Sequence, residues 1–281
     1  MSDFLEQMAA GSRERLAEAR RRYSEAALLQ RARALPVAPR LTANPARFDL
    51  IAELKLRSPA IGQLESSDAD VGGRVTTYAR AGAAAVSVLT EPSRFDGSMA
   101  HLESATKSLA PLNVPAMRKD FLVDPYQVIE ARVAGAGGVL VIIRMLPRAG
   151  IEEMLDCARK LGLFVLLEAF DEADIEVMHD VLGTADTRAA GSAPVLAGLN
   201  CRDLATLQIV PKRLIELAHL LPTHVPRVAE SGVVSAQDAA RVAGAGYEFA
   251  LVGSALMQGG DPHTLAAAML KAGRDEARGD K

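Results

Sequence analysis

Charged and polar side chains recur at the carboxyl ends of short apolar runs in this sequence, and their types suit proton transfer. Glu53 and Lys55 stand at the end of the first run, Lys119 follows the third, Glu168 lies in the fifth and Asn200 ends the sixth. Lysines and carboxylates that lie close together shift one another's pKa values and can serve as general acids and bases. The pattern therefore predicts acid–base chemistry at a place where these runs end together.

Two glycine-containing turns follow the last two apolar runs and suit the binding of a phosphate group. The sequence reads Glu230-Ser231-Gly232 after the seventh run and Gly253-Ser254 after the eighth, each before a helix-compatible segment. Glycine lets backbone N–H groups approach phosphate oxygens, and the serine hydroxyls add donors. One such turn is explained by chain reversal alone, but two on consecutive runs indicate a phosphorylated small-molecule substrate.

The elements that position these residues form a regular series after Phe48. Eight apolar, β-rich runs are DLIAEL, AAVSVLT, VPAMR, GVLVIIRML, LFVLLEAF, PVLAGLN, VPRVAES and EFALVGSA. The segments between them often open with Asp, Ser or Pro and close with Gly, as capped helices do. Eight strand–helix units predict an α/β fold of the (β/α)8 TIM barrel type, with a doubly wound open sheet as the alternative. In a barrel the carboxyl ends of all strands share one face.

Residues 1–47 differ from the rest and are predicted to form an N-terminal helical extension, with the barrel over residues 48–281. The extension holds nine arginines and five acidic residues, so it carries +4 in a chain whose total is −3. Apolar side chains between Phe4 and Ala27 recur mostly at helical spacing. Its basic face suits either solvent or an anionic ligand. Residues 183–194, rich in Gly, Ala, Ser and Thr, are predicted to be an insertion away from the catalytic face.

The composition excludes several function classes. A net charge of −3 argues against general nucleic-acid binding, and the absence of Trp disfavours base-stacking surfaces. The two cysteines, Cys157 and Cys201, cannot form a disulfide framework or a four-cysteine zinc site. The start has no signal-peptide core, and no apolar run reaches the roughly 20 residues that span a bilayer. The expectation is a cytoplasmic protein with no nucleic-acid or membrane partner.

No metal ion or redox cofactor is predicted. The five histidines lie away from the ends of the apolar runs, and none has the spacing of metal ligands. No GxGxxG dinucleotide fingerprint follows a strand-like run, and no GxxxxGK[ST] nucleotide loop occurs. Cys201 stands beside Asn200, but no histidine can be assigned to activate it, so a nucleophilic role is only a hypothesis.

Seven segments of the chain resemble the indole-3-glycerol phosphate synthase family. They are IAELKLRSP, SVLTEPSRFDGS, RKDFLVDPYQVIEARVAGAGGVLVI, LLEAFDE, GLNCRDLATL, VAESGV and LVGSALM, in the family's order across residues 50–260. The resemblance implies a barrel with an extra N-terminal helical segment. It also implies a carboxy-lyase of tryptophan biosynthesis that closes the ring of 1-(2-carboxyphenylamino)-1-deoxyribulose 5-phosphate, with loss of CO2 and water, to give indole-3-glycerol phosphate.

The resemblance also implies roles for the residues that stand at the family's catalytic positions. Lys119 matches the lysine of the RKDF motif, which is the general acid for the ribulose carbonyl oxygen. Glu168 matches the acid–base partner in the dehydration half. Glu53 and Asn200 match the pair that orients the substrate and supports proton transfer, and Lys55 matches a lysine that binds a substrate anion.

Further positions match substrate-binding residues of the family. Ser58 and Arg202 match residues near the anionic groups of the substrate. Glu230, Ser231, Gly232, Gly253 and Ser254 stand at the substrate- and phosphate-binding turns. Apolar positions match residues around the anthranilate ring: Phe95, Phe121, Leu140, Ile142, Leu204 and Leu207.

Departures from the family pattern keep other readings open. The first loop reads SPAIG at residues 58–62, where the family usually has SPS, and Cys201 replaces a residue that is commonly Asn or Ser. One alternative is a paralogue that acts on a modified anthranilate-derived substrate. Others are another phosphosugar barrel, such as a phosphoribosylanthranilate isomerase, or a non-catalytic barrel that serves as a scaffold. Contact with other enzymes of the tryptophan pathway is a further hypothesis.

Overall fold

Eight parallel strands close into a barrel in the computed structural model, which describes residues 3–42, 48–59, 62–64, 70–184, 193–203, 206–258 and 260–279. The hydrogen-bonded order is β1-β8-β7-β6-β5-β4-β3-β2, so β1 pairs with both β8 and β2. The predicted (β/α)8 barrel is therefore confirmed, and the open-sheet alternative is wrong. The strands are β1 (Asp49–Leu54), β2 (Ala85–Leu89), β3 (Ala116–Lys119), β4 (Gly138–Ile142), β5 (Phe164–Ala169), β6 (Val195–Asn200), β7 (Arg227–Glu230) and β8 (Phe249–Val252).

Helices alternate with the strands along the chain. They are α1 (Asp3–Arg22), α2 (Glu25–Ala34), α3 (Val71–Arg80), α4 (Pro92–Phe95), α5 (Met99–Leu109), α6 (Pro125–Val133), α7 (Arg148–Leu161), α8 (Glu172–Thr184), α9 (Lys212–Glu216), α10 (Ala236–Gly244), α11 (Ser254–Gln258) and α12 (Pro262–Gly279). Three single 3-10 turns cover Ala110–Leu112, Ile143–Met145 and Ala218–Leu220, and a short antiparallel hairpin pairs Arg57–Ser58 with Gly62–Gln63. No helix of the described residues is long and apolar enough to cross a membrane.

The strands are buried on both faces, which explains their nearly continuous apolar sequences. Side chains alternate between the two faces of a strand, so each strand contributes to two cores. In β1, Ile51 packs inside the barrel, whereas Leu50 and Ala52 pack outward against the surrounding helices. Phe164 and Leu166 of β5 also point inward. The apolar runs thus close the barrel and hold the helix layer around it.

The N-terminal segment follows the outside of the barrel from its carboxyl-end face to its amino-end face. Leu5 and Met8 of α1 join the inner core, and Leu28 of α2 packs against Tyr126 of α6. The Tyr126 hydroxyl also donates hydrogen bonds to main-chain oxygens near the end of α1. The later Leu41 rejoins the inner core. The segment therefore reaches both ends of the barrel before β1 begins.

The predicted insertion over residues 183–194 differs in part from the structure. Helix α8 continues to Thr184, so the first two residues of that stretch are helical. Residues 185–192 lie outside the described residues, as do Ala60 and Ile61 of the SPAIG loop. Glycine weakens a helix interior without forbidding it, so the helix can include Gly183 in its last turn.

Helix α12 closes the structure by packing against the start of β1. Arg274 donates hydrogen bonds to the Phe48 carbonyl oxygen at 3.1 Å and to Asp49 Oδ1 at 2.7 Å. Gly273 lies directly against the Phe48 ring, and a Cβ added there would overlap ring atoms. The absence of a side chain at Gly273 is therefore what lets the last helix reach the first strand.

We expect Gly273→Ala to lower the free energy of unfolding by about 1–3 kcal/mol, because overpacking at Phe48 outweighs the better helix propensity of alanine. The matched control is Gly183→Ala in α8, where an added Cβ meets nothing within 4 Å. That change should raise the free energy of unfolding by up to about 1 kcal/mol. Urea unfolding measures both, and a Gly273→Ala chain as stable as its parent would contradict the packing argument.

Candidate active site

One cavity opens at the carboxyl ends of the strands and contains every residue that the sequence singled out as a site candidate within the described part. It encloses about 1040 Å³, part of which is open to solvent. Its wall includes all the predicted catalytic and binding positions: Glu53, Lys55, Ser58, Phe95, Lys119, Phe121, Leu140, Ile142, Glu168, Asn200, Arg202, Glu230, Ser231, Gly232, Gly253 and Ser254. Leu207 also lines it, whereas Leu204 lies outside the described residues.

Four charged side chains from alternate strands form one layer across the mouth of the barrel. Glu53 is the penultimate residue of β1, Lys119 ends β3, Glu168 lies on β5 and Glu230 ends β7. Alternate strands of a parallel barrel supply the side chains of one interior layer. Lys119 Nζ lies 3.7 Å from Glu168 Oε1 and 3.7 Å from Glu230 Oε2. The lysine therefore sits between two carboxylates that would otherwise repel each other.

The surrounding charges fix the proton on Lys119. Burial acts to lower the pKa of Lys119, but the carboxylates of Glu168, Glu230 and Glu53 outweigh it and raise that pKa above its usual range. The ammonium group is consequently the form present at neutral pH. It is 15% exposed and lines the cavity, so a bound substrate can reach its proton.

The pKa values of Glu53 and Glu230 shift in opposite directions, although both carboxyl groups lie in the same charged layer. Burial acts to raise the pKa of Glu53, but Lys55, Lys119 and Arg202 lower it on balance, and Lys55 Nζ lies only 2.6 Å from Glu53 Oε1. For Glu230, burial and then the repulsion from Glu168 raise the pKa well above its ordinary value despite Lys119. Both Glu230 carboxyl oxygens lack a hydrogen-bond partner among the described residues.

The register of the strands decides where Glu230 points. Glu230 pairs with Asn200 of β6, and a Cβ added at Gly198 would overlap Glu230 Oε1. Gly198 thus leaves the space that the Glu230 carboxyl fills. The sequence assigned Glu230 to substrate or phosphate binding, and the structure places its carboxyl in the charged layer beside Lys119.

Asn200 connects Glu168 to the loop after β6. Its Nδ2 donates to Glu168 Oε1 at 2.6 Å, and its Oδ1 accepts from the backbone N–H of Arg202 at 3.0 Å. The Arg202 guanidinium donates in turn to the carbonyl oxygen of Leu207 at 2.7 Å. These contacts fix Glu168 Oε1, the same oxygen that lies 3.7 Å from Lys119 Nζ.

The two predicted phosphate turns lie side by side on the cavity wall. Ser231 and Gly232 both have positive φ, at 66° and 74°, and Ser254 begins the short helix α11. Consecutive left-handed residues are rare for side chains other than glycine and turn backbone N–H groups toward one region. A Cβ at Gly253 would overlap Glu53 Oε1, so this glycine also makes room for the charged layer.

Three aromatic side chains form another part of the cavity wall, apart from the charged layer and the two turns. Phe121, which follows β3, is the central ring: its centroid lies 5.9 Å from that of Phe4 and 6.0 Å from that of Phe95. We call Phe4, Phe95 and Phe121 the aromatic wall. With Leu140 and Ile142 nearby on the cavity surface, it offers an apolar face for a flat ring.

Sequence reasoning missed several apolar residues of this cavity, among them Phe4 and Leu5 on α1 and Phe170 after β5. Phe170 directly follows Ala169 at the end of a predicted run, so the rule that sites lie at strand ends could have found it. The signal for Phe4 was weaker. It consists of an apolar stripe on a helix far from the barrel in sequence.

Cys201 does not have the properties of a nucleophile. Its side chain is buried, and burial raises its pKa to about 11. The thiol is therefore protonated at neutral pH, and it does not line the cavity formed by the described residues. Within the described part of the chain, no group of three or more His, Cys, Asp or Glu side chains is arranged to hold a metal ion.

Comparison with known proteins adds sequence relatives and structural neighbours. A family model described as indole-3-glycerol phosphate synthase matches residues 5–269. An indole-3-glycerol phosphate synthase of Parafrankia sp. is 39% identical over 276 residues, covering 97% of each chain. One of Nocardioides sp. is 42% identical over 213 residues, covering 76% of each. The solved 3-hexulose-6-phosphate synthase from Salmonella typhimurium matches with a TM-score of 0.61 at 15% identity, covering 82% of this chain and all of that one, which shows the barrel fold alone.

The opposite pKa shifts of Glu230 and Glu53 predict opposite effects of neutralising them. We expect Glu230→Gln to raise the free energy of unfolding at neutral pH by about 1 kcal/mol, because it removes a buried group crowded by like charge. The raised pKa means that the native state holds a proton the unfolded chain releases above about pH 4.5, so wild type loses stability as pH rises. The increase in the free energy of unfolding caused by Glu230→Gln should therefore become larger as the pH rises above about 4.5.

Glu53→Gln is the matched control and should lower the free energy of unfolding by about 1–3 kcal/mol, because Lys55 loses its partner. The lowered pKa of Glu53 gives stability that is present at neutral pH and is lost as pH falls through its folded pKa. Urea unfolding between pH 4.5 and 8 measures both variants. If both substitutions changed the free energy of unfolding in the same direction, the opposite pKa shifts of Glu53 and Glu230 would be refuted.

Proposed function

The chain belongs to the indole-3-glycerol phosphate synthase family, and from this premise we propose how its site carries out the reaction. The activity is that of a carboxy-lyase. It closes the ring of 1-(2-carboxyphenylamino)-1-deoxyribulose 5-phosphate, with loss of CO2 and water, to give indole-3-glycerol phosphate in tryptophan biosynthesis. The observation that carries the proposal is the position of Lys119, a buried cation between Glu168 and Glu230 in a cavity with both polar turns and an aromatic wall.

Lys119 is the general acid of the ring closure. An electron pair of the aryl carbon that bears the carboxylate forms the new bond to the ribulose carbonyl carbon. The carbonyl π pair moves to oxygen, which takes a proton from the Lys119 ammonium. CO2 then leaves, and the electrons of its bond restore the aromatic ring. The raised pKa of Lys119 keeps its ammonium group charged, which places a fixed positive charge near the developing oxyanion, and the alkoxide formed by ring closure is basic enough to take its proton.

Glu168 is the acid–base partner of the dehydration. The hydroxyl formed in the first half must leave as water, and a proton must leave the neighbouring carbon to complete the indole. Glu168 lies within 3.7 Å of Lys119 and is held by Asn200, so it can exchange protons with the same oxygen. Glu53, paired with Lys55, orients the substrate and balances the charge around Lys119.

Two anchors bend the substrate into a reactive shape. The turns at Ser231-Gly232 and Gly253-Ser254 bind the phosphate, and Ser58 and Arg202 lie near the anionic groups. The aromatic wall, with Leu140 and Ile142, packs on the anthranilate ring. Because both ends are fixed, the aryl carbon and the carbonyl are brought together at Lys119. Glu230 contributes to substrate binding through its place beside Lys119.

The wider assignments complete the proposal. We infer that residues 1–47 form an extension whose first helix supplies part of the cavity wall, and that residues 48–281 form the barrel domain. The substrate is a small phosphorylated molecule. A cytoplasmic location is consistent with two cysteines that form no disulfide, and contact with other enzymes of the pathway stays a hypothesis.

We expect Lys119→Ala to lower kcat at least about a hundredfold, because the ring closure loses its general acid. The measurement is fluorescence-monitored formation of indole product from synthetic substrate without added metal or nucleotide. Lys160→Ala is the control, since Lys160 lies on the exposed face of α7. Wild type that binds the substrate without turnover would point to a modified ring substrate, and an active Lys119→Ala would refute the assignment of the acid.

We expect Ser254→Asp to raise KM at least about tenfold, because a carboxylate placed at the phosphate turn repels the substrate phosphate. Ser24→Asp is the matched control: it adds the same charge at the exposed N-cap of α2, outside the cavity, where aspartate still caps the helix. Initial-rate kinetics separates KM from kcat for both variants. An unchanged KM for Ser254→Asp would place the phosphate elsewhere.

A further inference from the structure

Arg15 on α1 reaches two buried carboxylates that belong to different loops of the barrel mouth. Its Nη2 lies 2.8 Å from Asp120 Oδ1, and its Nη1 lies 3.7 Å from Glu91 Oε1. Each acidic side chain is 1% exposed. A guanidinium presents several N–H donors in one rigid plane, so a single arginine can serve both carboxylates.

Asp120 connects Arg15 to β3, the strand that carries the catalytic lysine. It directly follows Lys119 and accepts a hydrogen bond from the backbone N–H of Phe121 at 2.8 Å. Its other oxygen accepts from Thr90 Oγ1 at 2.7 Å. Burial acts to raise the pKa of Asp120, but Arg118 and Arg15 lower it on balance. Asp120 is therefore an ionised anchor that holds the backbone at Phe121.

Glu91 connects Arg15 to α4, the short helix that carries Phe95. Its carboxylate caps α4 by accepting from the backbone N–H groups of Ser93 at 2.9 Å and Arg94 at 2.7 Å. Arg94 also donates to Gln7 Oε1 of α1 at 3.2 Å. The position of Phe95 thus depends on a carboxylate that Arg15 neutralises from outside the barrel.

Arg15 also fixes the helix that carries Phe4. Ser12, three residues before Arg15 on α1, is buried, and its hydroxyl accepts a hydrogen bond from Gln127 Nε2 at 2.9 Å. The face of α1 that carries Arg15 therefore packs against the barrel. Phe4 then lies edge-on to Phe121, with ring planes at 78°. All three rings of the aromatic wall are therefore connected to Arg15 or to one of its two partners.

We propose that Arg15 is a positioning residue for ring recognition, which holds Phe4 and Phe95 in one arrangement against Phe121. The inference rests on the proposed function, because it takes the aromatic wall as the surface that binds the anthranilate ring. Arg15 itself does not line the cavity, and no contact joins it to Lys119 among those described. It acts on substrate binding through the rings rather than on the proton transfers.

The test compares Arg15→Met with Arg13→Met, which removes the same charge from an exposed position of the same helix. Arg15→Met should raise KM about tenfold and change kcat less than about threefold, since the charged layer is untouched. Arg15→Lys should fall between, because one ammonium group reaches only one of the two carboxylates. Arg13→Met should match wild type. A KM for Arg15→Met equal to that of wild type overturns the proposal.

A double-mutant cycle with Phe4→Ala separates positioning from a general loss of stability. If Arg15 acts by placing the rings, Arg15→Met should raise KM by a much smaller factor in the Phe4→Ala chain than in wild type. If the factor by which Arg15→Met raises KM is the same in the Phe4→Ala chain as in wild type, the proposal is overturned. A KM for Arg15→Lys that lies between those of wild type and Arg15→Met supports it.

Amide hydrogen exchange over residues 3–22 gives a readout that does not depend on turnover. Exchange in α1 should be faster in Arg15→Met and unchanged in Arg13→Met, because only the former loses the contact with the barrel. If wild type turns over no substrate, the proposed function fails, and the exchange data alone then decide whether Arg15 holds α1 in place. Equal exchange in the two variants would overturn the positioning role whatever the activity.

Discussion

Three buried carboxylates surround one lysine at the mouth of the barrel, and their electrostatic balance governs the rest of the site. Glu53, Glu168 and Glu230 come from alternate strands, so the geometry of the barrel itself places them in one layer with Lys119. Removing such charges from water is costly unless each finds a counter-charge or a proton. Lys119 keeps its proton, Glu53 pairs with Lys55, and Glu230 is driven toward its neutral form.

Small residues around this layer are a consequence of the same crowding. Gly198 leaves the space for the Glu230 carboxyl, and Gly253 leaves the space for that of Glu53. A glycine after β8 therefore serves two purposes at once, since the same residue belongs to the turn assigned to the phosphate. The Glu53 carboxyl and the proposed phosphate turn therefore depend on the same backbone position, which limits the substitutions that this end of the barrel tolerates.

The N-terminal helix completes the site from outside the barrel. Its first turn carries Phe4 and Leu5 into the cavity wall, while Arg15 reaches carboxylates beside the second and third strands. The barrel provides the charged layer and the polar turns, and the added helix provides part of the apolar surface. The division has a physical basis: a charged layer needs rigid strand ends, whereas a ring pocket needs an apolar cover over an open mouth.

The sequence by itself determined an α/β fold with parallel strands, because eight apolar runs that alternate with capped helices have few other ways to bury both faces. Closure into a barrel rather than a doubly wound open sheet was decided only by the tertiary pairing of β1 with β8. It also identified which residues would meet, since polar side chains at strand ends converge on one face once the barrel closes. It could not determine how closely the Glu230 carboxyl approaches Lys119, because strand register and the space at Gly198 decide that. Nor could it place Phe4 and Arg15, whose contacts lie about a hundred residues away along the chain. Only the tertiary structure decided these points, because long-range packing and the mutual repulsion of buried charges depend on distances that no local pattern encodes.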